Sequence, residues 1–198
     1  MKKLFLLLSC LVLTTPGCEV VNQVQQAANL AKCDFRIVSA ENLTLAGVNI
    51  QNVNSLQDLS FMTVAKIMSA VAGSTFPLTF TLNFEGKNPN PSPAGLNRLD
   101  WILFIDDIQM TQGILDKAFT IPPDNGTTII PLQLNIDLKK ALQGKSLDAI
   151  ANFAFNLSGV GSKPTRIMAK LKPTILVGNS PVTYPGYITV KTEYSGIR

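Results

Sequence analysis

The feature that most constrains the fold of this chain is an alternation of apolar and polar residues that recurs along most of its length. In residues 76–84, Phe and Leu occupy every even position, whereas Pro, Thr and Asn occupy the odd positions between them. Successive side chains of a β-strand point to opposite faces, so a period of two predicts a strand with one buried and one solvated face. Such strands must bury their apolar faces against one another.

The same period returns in other parts of the chain, which predicts one continuous core. The clearest further segments are 99–105, 130–136, 153–157 and 167–175. Weaker candidate strands are 34–40, 43–50, 108–115 and 187–194. Turn-forming residues such as Asp124-Asn125-Gly126 separate the segments. A mostly β fold in the form of a β-sandwich is the economical arrangement of so many short strands.

Two segments have helical rather than strand periodicity, and we expect both to cover open ends of the sandwich. One is about 56–72, ended by Gly73, and the other is the shorter segment of about 137–143. The apolar stripe of the first consists of Phe61, Val64, Met68 and Val71. Packing against the core is the favoured interpretation of this stripe, and a ligand pocket that includes Met62 is the alternative.

The N-terminus predicts a signal peptide over residues 1–17. Lys2 and Lys3 precede an apolar run at 4–13, which is far shorter than the ~20 residues that cross a bilayer. The end of this segment resembles a bacterial lipobox, in which a small residue, here Gly17, precedes the acylated cysteine, here Cys18. The resemblance implies cleavage between Gly17 and Cys18 and a lipid on Cys18. An ordinary cleaved signal peptide is the alternative.

Residues 18–32 are expected to be a lipidated tether, as a short helix or a flexible spacer, ahead of one domain over 33–198. Glu19 follows the cysteine, where an aspartate would resemble an inner-membrane retention signal. No acidic run follows Cys18 of the kind that resembles a surface-export signal. The resemblance therefore implies the outer membrane of a bacterial envelope, with the domain facing the periplasm.

Composition excludes several classes of function. The chain has no histidine, which removes Ser-His-Asp and Cys-His catalysis and histidine-ligated metals. Cleavage would leave 17 − 2 = 15 basic against 13 acidic residues, and Lys139-Lys140 is the only adjacent basic pair after the signal. Nucleic acid is therefore not an expected partner.

Cys33 has no cysteine to pair with once Cys18 is acylated, and we expect it to be a small, buried apolar residue.

The remaining groups with catalytic potential are carboxylates and serine-lysine neighbours. Asp106-Asp107, with Asp100 nearby, could in principle act as acid and base or bind calcium. Adjacent residues of a strand face opposite sides, however, so a solvated strand end or turn is favoured. Ser146 follows Lys145 and Ser162 precedes Lys163, but these pairs are close only in sequence. A histidine-free hydrolase built on these groups is the alternative to a non-catalytic function.

Four segments together resemble the LEA type 2 family, also called LEA14-like or WHy-domain proteins. They are the strand end Asn88-Pro89-Asn90-Pro91, the apolar strand 99–107 with its acidic end, 119–123 and 127–132. The resemblance implies an Ig-like or fibronectin-like β-sandwich of about seven strands with a helical insertion. It also implies an association with desiccation and stress, and no established catalytic site. The lipobox and the long insertion around 61–71 depart from the plant members.

The physical interpretation of the Asn88-Pro89-Asn90 motif is structural. Pro89 and Pro91 cannot donate to a β-ladder, so the strand must stop there, and the Asn side chains can bond freed backbone groups in Asx turns. A binding role for Asn88 or Asn90 is the alternative. Together these features predict a non-catalytic, membrane-anchored envelope binding or stress-protection module without a cofactor or metal. Its expected partners are the membrane and an apolar ligand or envelope protein.

Overall fold

The computed structural model describes residues 17–51, 53, 59–143 and 165–194. Within these ranges the chain forms helices α1 (Gly17–Leu30), α2 (Phe61–Ala72) and α3 (Leu138–Ala141). Its strands are β1 (Asp34–Leu45), β2 (Val48–Asn49), β3 (Pro77–Asn88), β4 (Ala94–Leu96), β5 (Arg98–Ile105), β6 (Ile108–Leu115), β7 (Phe119–Ile121), β8 (Gly126–Asp137), β9 (Thr165–Val177), β10 (Ser180–Thr183) and β11 (Ile188–Tyr194).

The strands form two large antiparallel sheets and one small one. The first sheet has the order β2-β1-β3-β8, and the second has the order β10-β9-β5-β6, with β11 also paired to β9. A third sheet contains only β4 and β7. The mostly β sandwich expected from the alternation is confirmed. Among the described residues, seven strands have seven or more residues.

The core lies between the inward faces of the two large sheets. β3 and β8 pair over their full length without a register shift, which sets Phe80 opposite Leu134 and Leu82 opposite Leu132. In the second sheet, Leu103 of β5 lies opposite Ala169 of β9. The buried residues of both sheets join one hydrophobic cluster, as the alternation requires. The candidate strand 153–157 lies outside the described residues.

The structure corrects the two weak candidate strands near the start of the domain. Residues 34–45 form one strand, β1, whose pairing with β3 shifts between Ile37 and Ser39 and again between Glu41 and Thr44. Each bulge adds one residue and thereby reverses which positions face the core. The alternation of apolar and polar residues is therefore interrupted, and one continuous strand resembles two separate strands in the sequence. The tight turn Ala46-Gly47, with positive φ at both residues, then leads into β2.

The structure also corrects the start of α2 and the face that it buries. The helix begins at Phe61, where the Ser60 side chain caps it by accepting from the Thr63 amide, and residues 54–58 lie outside the description. Ile67 and Val71 are the buried residues, whereas Phe61 is 84% and Met68 50% exposed. Because α2 is apolar on more than one side, the spacing of its apolar residues could not identify the inward face.

The helices lie at opposite ends of the sandwich. α1 packs against β4 and the second sheet at one end. The other end holds α2 and α3, where the α3 cap Asp137 also accepts from the Phe76 amide and the Lys139 amine donates to the Gly73 carbonyl. The expectation that helices cover the open ends therefore applies to α2 and α3, and the structure adds α1 at the opposite end.

Trp101 is largely buried, at 9% exposure, as its alternation with Leu99 and Leu103 predicts. It lies opposite Gly113 on β6, and a Cβ on Gly113 would meet Trp101 Cζ2 at 2.5 Å. We therefore expect Gly113→Ala to lower the free energy of unfolding by about 1–3 kcal/mol through overpacking. Denaturant unfolding followed by Trp101 fluorescence measures this change.

Gly186→Ala is the matched control, because nothing lies within 4 Å of its added Cβ. Its effect should stay within about 0.5 kcal/mol. Equal stabilities for the two variants would contradict the packing of Trp101 on Gly113.

Candidate functional site

The Asn88-Pro89-Asn90 motif lies at the α1 end of the sandwich and forms a closed hydrogen-bond network. Asn88, the last residue of β3, is fully buried. Its Oδ1 accepts from the amide and the side chain of Asn90, at 3.0 and 2.7 Å, and its Nδ2 donates to the carbonyls of Ser92 and Ile121. All four hydrogen-bonding positions of the Asn88 amide are therefore used inside the fold.

The network extends to α1 through Asn29, which the sequence did not single out. Asn90 Nδ2 donates to the Asn29 carbonyl at 3.1 Å. The buried Asn29 side chain donates in turn toward the Ser92 carbonyl, the Ser92 hydroxyl and the Pro93 carbonyl, at 2.9 to 3.1 Å. The last turn of α1 is thus bonded to the loop that follows β3. Asn29 is 61 residues from Asn90, so no local sequence pattern could have identified this contact.

The motif also orders the turn before β8. The Asn90 carbonyl accepts from the Asp124 amide, and the Asn88 carbonyl accepts from the Asn125 amide. Asp124 and Asn125 both have positive φ, which short polar residues tolerate in tight turns. Pro89 is exposed between the two buried asparagines. The motif therefore joins three segments at this end of the sandwich: the end of α1, the loop after β3 and the turn before β8.

The segment after Cys18 is helical and packs against the domain. Gly17 and Cys18 begin α1, and farther along the helix the Gln23 side chain accepts from the Gly178 amide in the β9–β10 turn. The side chain of Gln26 lies against Gly95 of β4. The expected tether 18–32 is therefore helical over most of its length and is held to the domain by polar contacts with residues that are distant in the sequence.

The candidate carboxylates Asp106 and Asp107 lie in a turn that is stabilised by contacts with Arg166. Asp106 and Asp107 are the two central residues of the β5–β6 hairpin, both with positive φ. The Asp106 carboxylate accepts from the Arg166 amide at 3.0 Å, and the Arg166 guanidinium lies 2.9 Å from Asp107. Asp100 lies apart, paired with Arg98 at 3.0 Å, and the hydrogen bond and then the charge of Asp100 raise the pKa of Arg98.

These contacts fit the turn interpretation of the acidic residues, because the paired carboxylates connect the hairpin to β9.

The pairs Lys145-Ser146 and Ser162-Lys163 lie outside the described residues. Within the described ranges, no three His, Cys, Asp or Glu side chains are grouped as a metal site would need. No helix in these ranges is long and apolar enough to span a membrane.

Among the described residues, exposed apolar side chains form a surface at each end of the molecule. The first, here called the α2 face, consists of Phe61, Met62 and Met68. The second, here called the α1 patch, consists of Val20, Val21 and Val24 of α1 with Val182 of the β9–β10 hairpin. A pocket of about 240 Å³ opens between α1 and the hairpin and includes Ala27, Ala31 and Tyr184 in its lining. Sequence reasoning missed the α1 patch, although its hairpin residues 176–183 carry no charge.

Cys33 is half-buried beside the end of α1. Its thiol lies 3.4 Å from the Asn29 carbonyl, and its side chain packs against the core cluster. Burial, with a smaller contribution from the charge of Asp34, raises the pKa of the Cys33 thiol to about 11. The position therefore disfavours the thiolate and suits the structural role expected for this residue.

No protein-family model and no curated protein sequence matches the chain. Several solved structures are similar to it, among them the following three. A crystal structure of a protein from Archaeoglobus fulgidus is 16% identical, with a TM-score of 0.37, over 62% of this chain and 86% of that one. A solution structure from Arabidopsis thaliana is 12% identical, with a TM-score of 0.35, over 59% and 68% of the two chains.

The third is the solution structure of a candidate late embryogenesis abundant (LEA) protein. It is 10% identical, with a TM-score of 0.35, over 86% of this chain and 75% of that one. The β-sandwich itself is assigned from the strand pairing described above.

We expect Asn88→Ala to destabilise the fold, because it removes the acceptor of the Asn90 amide, the side-chain donor to the Ile121 carbonyl and one of the two donors to the Ser92 carbonyl. Each such loss typically costs about 1–3 kcal/mol when the group stays buried. The free energy of unfolding in denaturant measures the effect. Asn135→Ala, at an exposed position of β8, is the control and should change stability by less than about 0.5 kcal/mol. Similar values for both variants would refute the structural role of the motif.

Cys33 should alkylate slowly in the folded protein. With the thiol pKa raised from 9.0 to about 11, the thiolate fraction at pH 8 falls roughly a hundredfold. Iodoacetamide labelling, followed by mass spectrometry of the Cys33 peptide with and without guanidinium, measures the ratio. The folded thiol also keeps its proton to higher pH, so its contribution to stability is present below pH 9 and is lost toward pH 11. Equal labelling rates in both states would contradict this environment.

Proposed function

We propose that the protein is a lipid-anchored, non-catalytic module of the bacterial envelope, of the LEA type 2 kind. In this proposal the lipid on Cys18 holds it at the outer membrane, facing the periplasm. The module binds an apolar partner in the envelope or protects envelope components during desiccation and related stress.

The observation that carries the proposal is the direct connection between the acylation signature and the folded domain. Cys18 lies in the first turn of α1, and Asn29, near the end of the same helix, is bonded to the loop after β3. Eleven residues of helix span about 16 Å, at about 1.5 Å per residue. An anchor on Cys18 would therefore hold the domain close to the membrane through a rigid link rather than a loose one.

The chemistry of the polar residues supports binding rather than catalysis. The asparagines of the motif and the carboxylates of the β5–β6 turn make structural contacts to backbone groups and to Arg166. The α2 face, at the end away from the anchor, offers exposed apolar side chains with no role in the described packing. Such side chains suit contact with an apolar segment of an envelope protein. The stress association follows the resemblance of the motif to LEA type 2 proteins.

Replacing Cys18 by Ser should abolish acylation and lipobox processing, because the thiol is the group that receives the lipid. Mass spectrometry of the N-terminal peptide should show diacylglycerol and the loss of residues 1–17 in the wild type only. Fractionation of the envelope should then show the wild-type protein, but not the Cys18→Ser variant, in the outer membrane.

Cys33→Ser is the matched control, since Cys33 is the other cysteine of the mature chain and packs beside α1. It should be acylated and fractionate as the wild type does. A Cys18→Ser protein that remained acylated and processed would show that the lipoprotein proposal is wrong.

A further inference from the structure

We propose that the α1 patch rests on the bilayer leaflet that carries the Cys18 lipid, so that the sandwich stands with its α1 end on the membrane and its α2 end away from it. This inference rests on the proposed anchoring and adds a contact surface and an orientation. Lipidation by itself requires neither of them.

The α1 patch is made by two elements that contact each other, the helix α1 and the β9–β10 hairpin. Val20 and Val24 are four residues apart and therefore share a face of α1. Val20 Cγ2 lies 3.9 Å from the position of a Cβ on Gly178, and the Gly178 amide donates to the Gln23 side chain. These contacts fix the helix against the β9–β10 hairpin. Val182 pairs with the buried Ile175, and both line the pocket beside α1, so the exposed Val182 lies on the side of the hairpin that α1 covers.

The distribution of charge favours a lipid surface as the occupant. Glu19 is the only charged residue of α1, and residues 176–183 contain none. The patch can thus approach the acyl region without removing water from a charged group. Tyr184 lines the pocket between the helix and the hairpin, and aromatic rings with a hydroxyl are enriched at the boundary between lipid and water.

Proximity to the anchor gives the second argument. Val20 and Val24 follow Cys18 by two and six residues, which places them within about 9 Å of it along the helix axis. A lipid on Cys18 holds its own attachment point at the membrane surface. The exposed valines of α1 would then lie at the depth where apolar side chains of interfacial helices are buried.

The opposite end provides a matched comparison. Met68 on α2 is 50% exposed and Val182 on β10 is 47% exposed, so the two side chains are similarly accessible to solvent. They differ in the end of the sandwich at which they lie. α2 and the hairpin lie at opposite ends of strands about 12 residues long, or roughly 40 Å at about 3.3 Å per residue. A tryptophan at each position therefore reports which end contacts lipid.

The experiment uses the full, acylated protein in phosphatidylcholine and phosphatidylglycerol vesicles with or without brominated acyl chains. Bromine quenches tryptophan only within contact range. We expect Val182→Trp to lose about half of its added fluorescence in brominated vesicles. Met68→Trp and the wild type, whose only tryptophan is the buried Trp101, should be unchanged. A second substitution, Val24→Glu, should remove the quenching of Val182→Trp, whereas Met62→Glu should not.

The possible results separate the contact from the anchor. Mass spectrometry of the N-terminal peptide tests acylation in every variant, and a protein without lipid would overturn both proposals. An acylated protein in which neither tryptophan is quenched would overturn the contact alone and leave the α1 patch to a protein partner. Quenching at both positions, or at Met68→Trp only, would overturn the orientation. Quenching of Val182→Trp that survives Val24→Glu would exclude the α1 patch as the contact.

Discussion

The burial of one face of β3 is the constraint on which the rest of the structure depends. Leu78, Phe80, Leu82 and Phe84 are all buried, and each contributes on the order of 1.5–3 kcal/mol when removed from water. β3 pairs with β1 on one side and with β8 on the other, so the position of its apolar face sets the register of both neighbours. A shift of one residue would turn these four side chains into solvent, and the uninterrupted pairing with β8 is the register that avoids it.

The residues at the end of β3 connect the sheet to the neighbouring loops and to α1 through hydrogen bonds. Pro89 and Pro91 stop the strand, and Asn88 bonds the backbone groups that the strand no longer pairs. The same network holds the end of α1 through Asn29 and the turn before β8 through Asp124 and Asn125. A motif that resembles a family signature therefore acts here as the junction between the sandwich and the helix α1, whose first turn contains Cys18.

The two ends of the sandwich differ in chemistry, and this difference underlies both proposals. The α1 end combines the acylation signature with an uncharged apolar patch, whereas the opposite end exposes the α2 face near Lys66 and Lys139. An anchor at one end leaves the other end free for contacts in the envelope. The proposed function thus depends on a rigid domain with two chemically different ends and not on a catalytic pocket. The carboxylates of Asp106 and Asp107 stabilise the β5–β6 turn through their contacts with Arg166.

The sequence by itself determined the strands β3, β5, β8 and β9 with their inward faces, and turns such as Asp124-Asn125-Gly126, because alternation, proline and short polar residues act locally. It predicted the burial of Trp101, the end of β3 at the Asn-Pro-Asn step and the turn at Asp106-Asp107. Only the tertiary structure decided that β1 is a single bulged strand and that Ile67 rather than Phe61 faces the core. It alone also joined Asn29 to Asn90 and Val20 to the β9–β10 hairpin. These features depend on contacts between residues far apart in the chain, and such contacts exist only once the sheets have packed.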